Sequence, residues 1–198
     1  YLFAMGIGSF LSKYFNSDIL RWFIRIELLI GLIGGFSSAL LFLFFPLVTS
    51  FRIILYLLVL VTGILVGLEI PLLMRILKDK IEFKDLVSKV FTFDYIGALL
   101  ASVVFPLVLI PHLGLIRTSL FFGIINIAIG WYLAYYFTAQ IKRAAVIKFT
   151  AILLLIIEVV AFVFSDNIMS YSESLAYRDN IVYATSSPYQ RIVITKNR

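Results

Sequence analysis

An all-α polytopic membrane bundle of about six transmembrane segments, followed by a short β-hairpin that begins a soluble domain, is the fold class this sequence predicts. Three observations lead to it. Hydrophobic residues make up 62% of the chain and charged residues 14%, with a mean hydropathy of +1.06; an ordinary soluble domain carries roughly a quarter charged residues. Apolar runs of roughly 20 residues recur, each long enough to cross about 30 Å of hydrocarbon as a helix. Beyond Ser165 the composition turns polar, and two short β-branched stretches follow. Lipid offers no water to backbone polar groups, so the apolar runs must be helices that satisfy them internally.

The segments fall at 1–15, 22–45, 53–77, 90–110, 115–137 and 146–164. The first corresponds to only about 22 Å of helix and reads as a helix truncated at its start, without the charged region of a signal peptide before it. The second ends at Pro46 and a short turn, so it and the third form a tight antiparallel hairpin. A charged loop, Lys78 to Lys89, precedes the fourth, and Pro111-His112-Leu113-Gly114 separates it from the fifth. Residues 1–165 are thus expected to form the transmembrane domain, and 166–198 a linker and β-hairpin. Ile181-Val182-Tyr183 and Arg191 to Thr195 flank Ser186-Ser187-Pro188, the pattern of two strands and a turn. A lone hairpin is marginal in water, so these strands read as the start of a larger soluble domain.

Composition also excludes chemistry. Without cysteine there are no disulfides, thiolate metal sites or cysteine nucleophiles. A single histidine, His112, argues against a zinc site, so no metal is expected in this chain. The net charge of +6 is distributed between hydrophobic runs rather than on one basic face, which points to membrane topology and away from nucleic acid. If the segments alternate, the loops after the first, third and fifth hold eleven basic residues, among them Arg21, Arg25, Lys78, Lys80 and Lys142. The opposite loops hold two, Arg52 and Arg117. The positive-inside rule makes the first set cytoplasmic and places the tail after Phe164 outside.

Glu27, Glu69, Asp94 and Glu158 lie within apolar runs, and ionisable groups at such depth raise a functional expectation. The first three fall toward the basic side, near Arg25, Arg75 and Lys89, while Glu158 lies nearer the midplane. Small residues share their faces: Gly31, Gly34 and Ser38 with Glu27; Gly97, Ala98 and Ala101 with Asp94; Gly123, Asn126 and Gly130 with Ser119. That spacing lets helices approach closely, as does the Gly63/Gly67 pair. Two readings stay open for the carboxylates: a cation or polyamine site, or a structural set of ion pairs and interhelical hydrogen bonds. Trp22, Trp131, Tyr135 and Tyr136 read as interfacial anchors.

The strings Met5-Gly6-Ile7-Gly8-Ser9, Gly67-Leu68-Glu69-Ile70-Pro71-Leu72-Leu73 and Phe93-Asp94-Tyr95-Ile96-Gly97-Ala98-Leu99 occur in order along the chain. Tyr177-Arg178-Asp179 and Ser187-Pro188-Tyr189-Gln190-Arg191-Ile192-Val193 follow them. Together they resemble the membrane region of bacterial membrane-anchored spermidine synthase-like proteins, members of the polyamine aminopropyltransferase family. The resemblance covers nearly the whole chain. It implies a multi-helix region at the inner membrane, in contact with the lipid bilayer, preceding a soluble domain with an N-terminal hairpin and a Rossmann-like part. It also implies transfer of an aminopropyl group from decarboxylated S-adenosylmethionine to putrescine, with no cofactor bound by this chain itself. Of the family's ligand-contacting residues it implies one here, Gln190, the hairpin glutamine that meets the aminopropyl donor; otherwise Gln190 is a hairpin residue facing solvent. Soluble family members commonly have Tyr-Gln-Asp where this chain has Tyr189-Gln190-Arg191, and an external tail is at odds with a cytoplasmic nucleoside donor. The alternatives are a bundle that transports or senses a cation or polyamine, and a scaffold subunit or homo-oligomer within a membrane complex.

Overall fold

The computed structural model describes residues 1–177, 179–186 and 190–196. The chain is mostly helical: α1 (Leu2–Leu11), α2 (Ile19–Phe44), α3 (Phe51–Leu77), α4 (Phe83–Val104), α5 (Ile110–Tyr136), α6 (Ala144–Val163) and α7 (Ser165–Ala176). It ends in the antiparallel strands β1 (Asn180–Ser186) and β2 (Arg191–Lys196). Ile181 pairs with Thr195 and Ala184 with Val193, with a register irregularity between Ile181 and Tyr183. The turn expected at Ser187-Pro188 lies outside the described residues, as does Arg178. Among the described residues, four helical stretches are long and apolar enough to cross a membrane: 19–44, 51–77, 83–136 and 144–163, the third spanning both α4 and α5.

Glycines set the closest helix crossings. Gly67 of α3 lies against the backbone of Met5 in α1, and Gly8 of α1 lies against the carbonyl of Ile64. Gly63 faces Ala4, so the two small-residue pairs, four apart on each helix, interlock and hold α1 parallel to α3. Across α2 and α5, a Cβ on Gly31 would stand 2.9 Å from the Gly123 carbonyl oxygen, and one on Gly123 would stand 2.8 Å from the Gly35 Cα. Such approaches suit an environment where packing rather than water exclusion drives association. Larger side chains fill the remaining space: Phe23, Ile26 and Ile30 meet Leu68 and Leu72 between α2 and α3, while Ile24, Leu28, Ile127, Ala134, Ile147 and Ala151 join α2, α5 and α6.

Contacts separate two ends of the bundle. At one, Lys142 pairs with Asp18 at 3.6 Å, Arg75 donates to the Ser12 carbonyl, and Lys80 lies 5.4 Å from the centroid of the Phe137 ring. The loops rich in basic residues therefore meet. Aromatic rings gather there too, with Arg25 over Trp22 and Lys148 over Tyr135. At the other end, the start of α5 and the ends of α2 and α6 converge around Ala39, Ile116, Leu120 and Ala161, and α7 packs on them through Ile168 and Met169.

Two expectations need correction. Residues 165–176 are a helix rather than linker: Ser165, Ile168, Met169 and Ser172 recur at helical spacing and place one face on the bundle. The break expected at Pro111–Gly114 is present as a kink at Gly114, at φ 73°, a conformation glycine adopts without a Cβ penalty. The small-residue face of α4 does not pack against neighbours: Asp94 and Ala98 are exposed and Gly97 faces open space. A π-helical stretch containing Pro106 and the kink at Gly114 join α4 to α5, and the face of α4 that carries Asp94 and Ala98 is left uncovered. Element ends also shift; α4 begins at Phe83 rather than Val90, with Asp85 in its first turn, where a negative charge complements the helix dipole.

Candidate functional site

Two places hold polar chemistry. The first lies toward the basic end. Glu27 of α2, 7% exposed, and Glu69 of α3 turn their carboxyl groups toward each other. Local packing explains the meeting. Gly130 of α5 leaves room beside the Glu27 Cβ, and Pro71, two residues after Glu69, lies within α3 without ending it. Asp94 stays exposed on α4. Among the described residues no ion pair links Glu27, Glu69 or Asp94 to Arg25, Arg75 or Lys89; those cations instead face Trp22 or the Ser12 carbonyl, or remain exposed.

Glu158 is not part of this pair. It is fully buried in α6, where its carboxyl abuts Gly35 of α2, and a Cβ on Gly123 of α5 would lie 3.1 Å from its Oε1. Gly35 is eight residues beyond Glu27, roughly 12 Å along the helix. Neither Glu158 oxygen finds a hydrogen-bond donor among the described residues. The four acidic residues thus divide into a facing pair, an exposed residue and a separate buried carboxyl, and no three His, Cys, Asp or Glu side chains come together as metal ligands among the described residues.

The second place is the junction of α7 with the hairpin. Arg191, the first residue of β2, forks onto Glu173, with Nε donating to Oε1 at 2.5 Å and an Nη2 donating to Oε2 at 2.9 Å. Glu173 is 7% exposed. Its hydrogen bond raises the Arg191 guanidinium above its ordinary value, against the opposing effect of burial. The neighbouring Ser172 hydroxyl donates to the Phe42 carbonyl at the end of α2 at 2.6 Å. From α5, Arg117 donates to the Ser165 hydroxyl at 2.8 Å and to the Asp166 carboxylate at 2.6 Å. A pocket of about 480 Å³ opens beside this junction, lined by Ser170, Glu173, Tyr177, Asp179 and Asn180 among others. Gln190, next to Arg191, is exposed at the start of β2.

Compared with known proteins, the chain is 46% identical over 196 residues to a polyamine aminopropyltransferase of Leptospira interrogans, covering 99% of this chain and 39% of that protein. It is 47% identical over 203 residues to polyamine aminopropyltransferase 2 of Ralstonia nicotianae, covering 99% of this chain and 40% of that protein. A polyamine aminopropyltransferase of Corynebacterium efficiens is 36% identical over 208 residues, again with 99% and 39% covered. The chain belongs to the polyamine aminopropyltransferase family. It spans about two fifths of the length of these curated relatives. No family model matches it, and no solved structure matches it.

Family membership gives the junction its interest. The structure accounts for the arginine at position 191: an aspartate there would face Glu173 with like charge. Glu173, Ser172 and Arg117 escaped sequence reasoning. The signal was the helical spacing of Ser165, Ile168, Met169 and Ser172, hidden in a stretch rich in polar residues.

Proposed function

We propose that this chain is the membrane domain of a polyamine aminopropyltransferase-type protein and supplies the first two strands of its soluble domain. The observation that carries the reading is the 46–47% identity, over 99% of the chain, to proteins named polyamine aminopropyltransferase. The apolar helices support insertion in a bilayer, which for a bacterial protein of this kind is the inner membrane, with the basic end cytoplasmic. The anchored domain transfers an aminopropyl group from decarboxylated S-adenosylmethionine to putrescine. In that reaction the bond from carbon to the donor's sulfonium sulfur breaks as a bond to the amine nitrogen forms. A neutral thioether leaves, and the amine loses a proton. The catalytic groups belong to the part of the protein beyond this chain, and Gln190 is the residue here that meets the donor.

The helices and the charge count support an external hairpin, whereas the donor nucleoside is a cytoplasmic metabolite, so the domain would meet its donor only after export. The reading is tested by incubating the purified full-length protein with both substrates and following spermidine and the thioether by mass spectrometry. Equimolar formation of the two is expected; absence of both would reject it.

A further inference from the structure

We propose that Glu173 is a positioning residue that fixes the hairpin, and the domain it opens, rigidly on the hairpin end of the bundle, so that the membrane part is a docked platform rather than a tether.

The case rests on a continuous set of contacts. Arg191 makes two hydrogen bonds to one carboxylate, a fork geometry that fixes direction as well as distance. The carboxylate belongs to a residue that is 93% buried, while the Arg191 side chain is 31% exposed. Breaking such a pair from the arginine side strands a negative charge out of water, which makes undocking costly. The helix bearing Glu173 is itself held at three points. Ser172, its immediate neighbour, is 4% exposed and bonds to the last turn of α2. Ile168 and Met169 pack into the cluster formed by Ala39, Ile116, Leu120 and Ala161. Arg117 reaches from α5 to both Ser165 and Asp166. A flexible tether has no need of a buried carboxylate, and a Gly- or Ser-rich linker would serve that purpose. Here only Tyr177 to Asp179 separates α7 from β1, too short a stretch to let the hairpin range widely once β2 is held.

Clasping follows from the structure alone; its effect on catalysis rests on the aminopropyltransferase reading. The test uses the full-length protein in lipid nanodiscs, with spin labels on cysteines introduced at the exposed positions Leu47, beyond the end of α2, and Val182, in β1. A single narrow distance distribution is expected. Glu173→Gln and Arg191→Asp should each broaden it roughly twofold as undocked states become populated, and Glu173→Arg combined with Arg191→Glu should restore it. In the same variants KM for the aminopropyl donor should rise about tenfold while kcat and KM for putrescine hold. Unchanged distributions in both single variants would overturn the clasp, and broadening with no change in donor KM in an active enzyme would overturn its role in donor binding. A wild-type protein that transfers no aminopropyl group, yet whose distances respond and are rescued as described, would reject the functional reading and leave the clasp standing.

Discussion

Gly67 of α3 rests directly on the backbone of Met5 in α1, with no room for even a methyl group between them. Gly67→Leu should therefore force α1 away from α3. The expected loss is about 1–3 kcal/mol, the usual cost of overpacking, read as a lower unfolding temperature in detergent. Gly34→Ala and Gly97→Ala face open space and serve as controls. They should be neutral or stabilising by up to about 1 kcal/mol, since alanine is the better helix former.

Glu158 tests whether a buried carboxyl in this fold is structural or functional. Neither of its oxygens has a donor partner among the described residues, so Glu158→Leu should keep or raise stability, by about 1–3 kcal/mol. A loss of that size would mean that the carboxyl is used. Gly35→Ala drives a methyl group into the same carboxyl and should destabilise. Combining it with Glu158→Ala should recover most of that loss, a non-additivity expected of residues in contact.

Two contacts hold α7 with unequal strength. Ser172 is buried, and Ser172→Ala leaves the Phe42 carbonyl without its hydroxyl donor, at a cost of about 1 kcal/mol. Asp166 is 79% exposed at its side chain, so Arg117→Ala should cost less than about 1 kcal/mol through the ion pair. Limited proteolysis near Tyr177 should show faster cleavage in the Ser172 variant than in the Arg117 variant.

Much of the bundle was legible before the structure. Long apolar runs have one solution in lipid, and the basic residues that mark one end by charge count, among them Lys142 and Arg75, do meet there, on Asp18 and Ser12. The alternation of β-branched residues around Ser187-Pro188 also read correctly as two strands. Other features depended on tertiary geometry. A polar helix such as α7 resembles a linker until the face of Ile168 and Met169 is set against Ile116 and Leu120. The small residues around Asp94 suggested a packed helix, yet that face of α4 is left exposed. Glu27 and Glu69 are 42 positions apart, and their contact needed the α2–α3 pairing, whereas Glu158 had to be separated from them by the glycine slot on α2 and α5.

Sidedness is open to direct test. Lys142, Asp18, Arg75 and Ser12 lie at one end of the bundle and Arg117, Ser165 and Phe42 at the other. A periplasmic reporter fused after Arg198 should therefore be active, and a cytoplasmic one silent. The opposite result would invert the bundle against its positive charge.

The central claim is that aminopropyl transfer is anchored in the membrane by this chain. Membranes from cells producing the full-length protein, washed with alkaline carbonate, should be assayed for spermidine formation from decarboxylated S-adenosylmethionine and putrescine. The activity should stay with the washed membranes; release of the activity into the supernatant, or its absence from both fractions, would contradict the account.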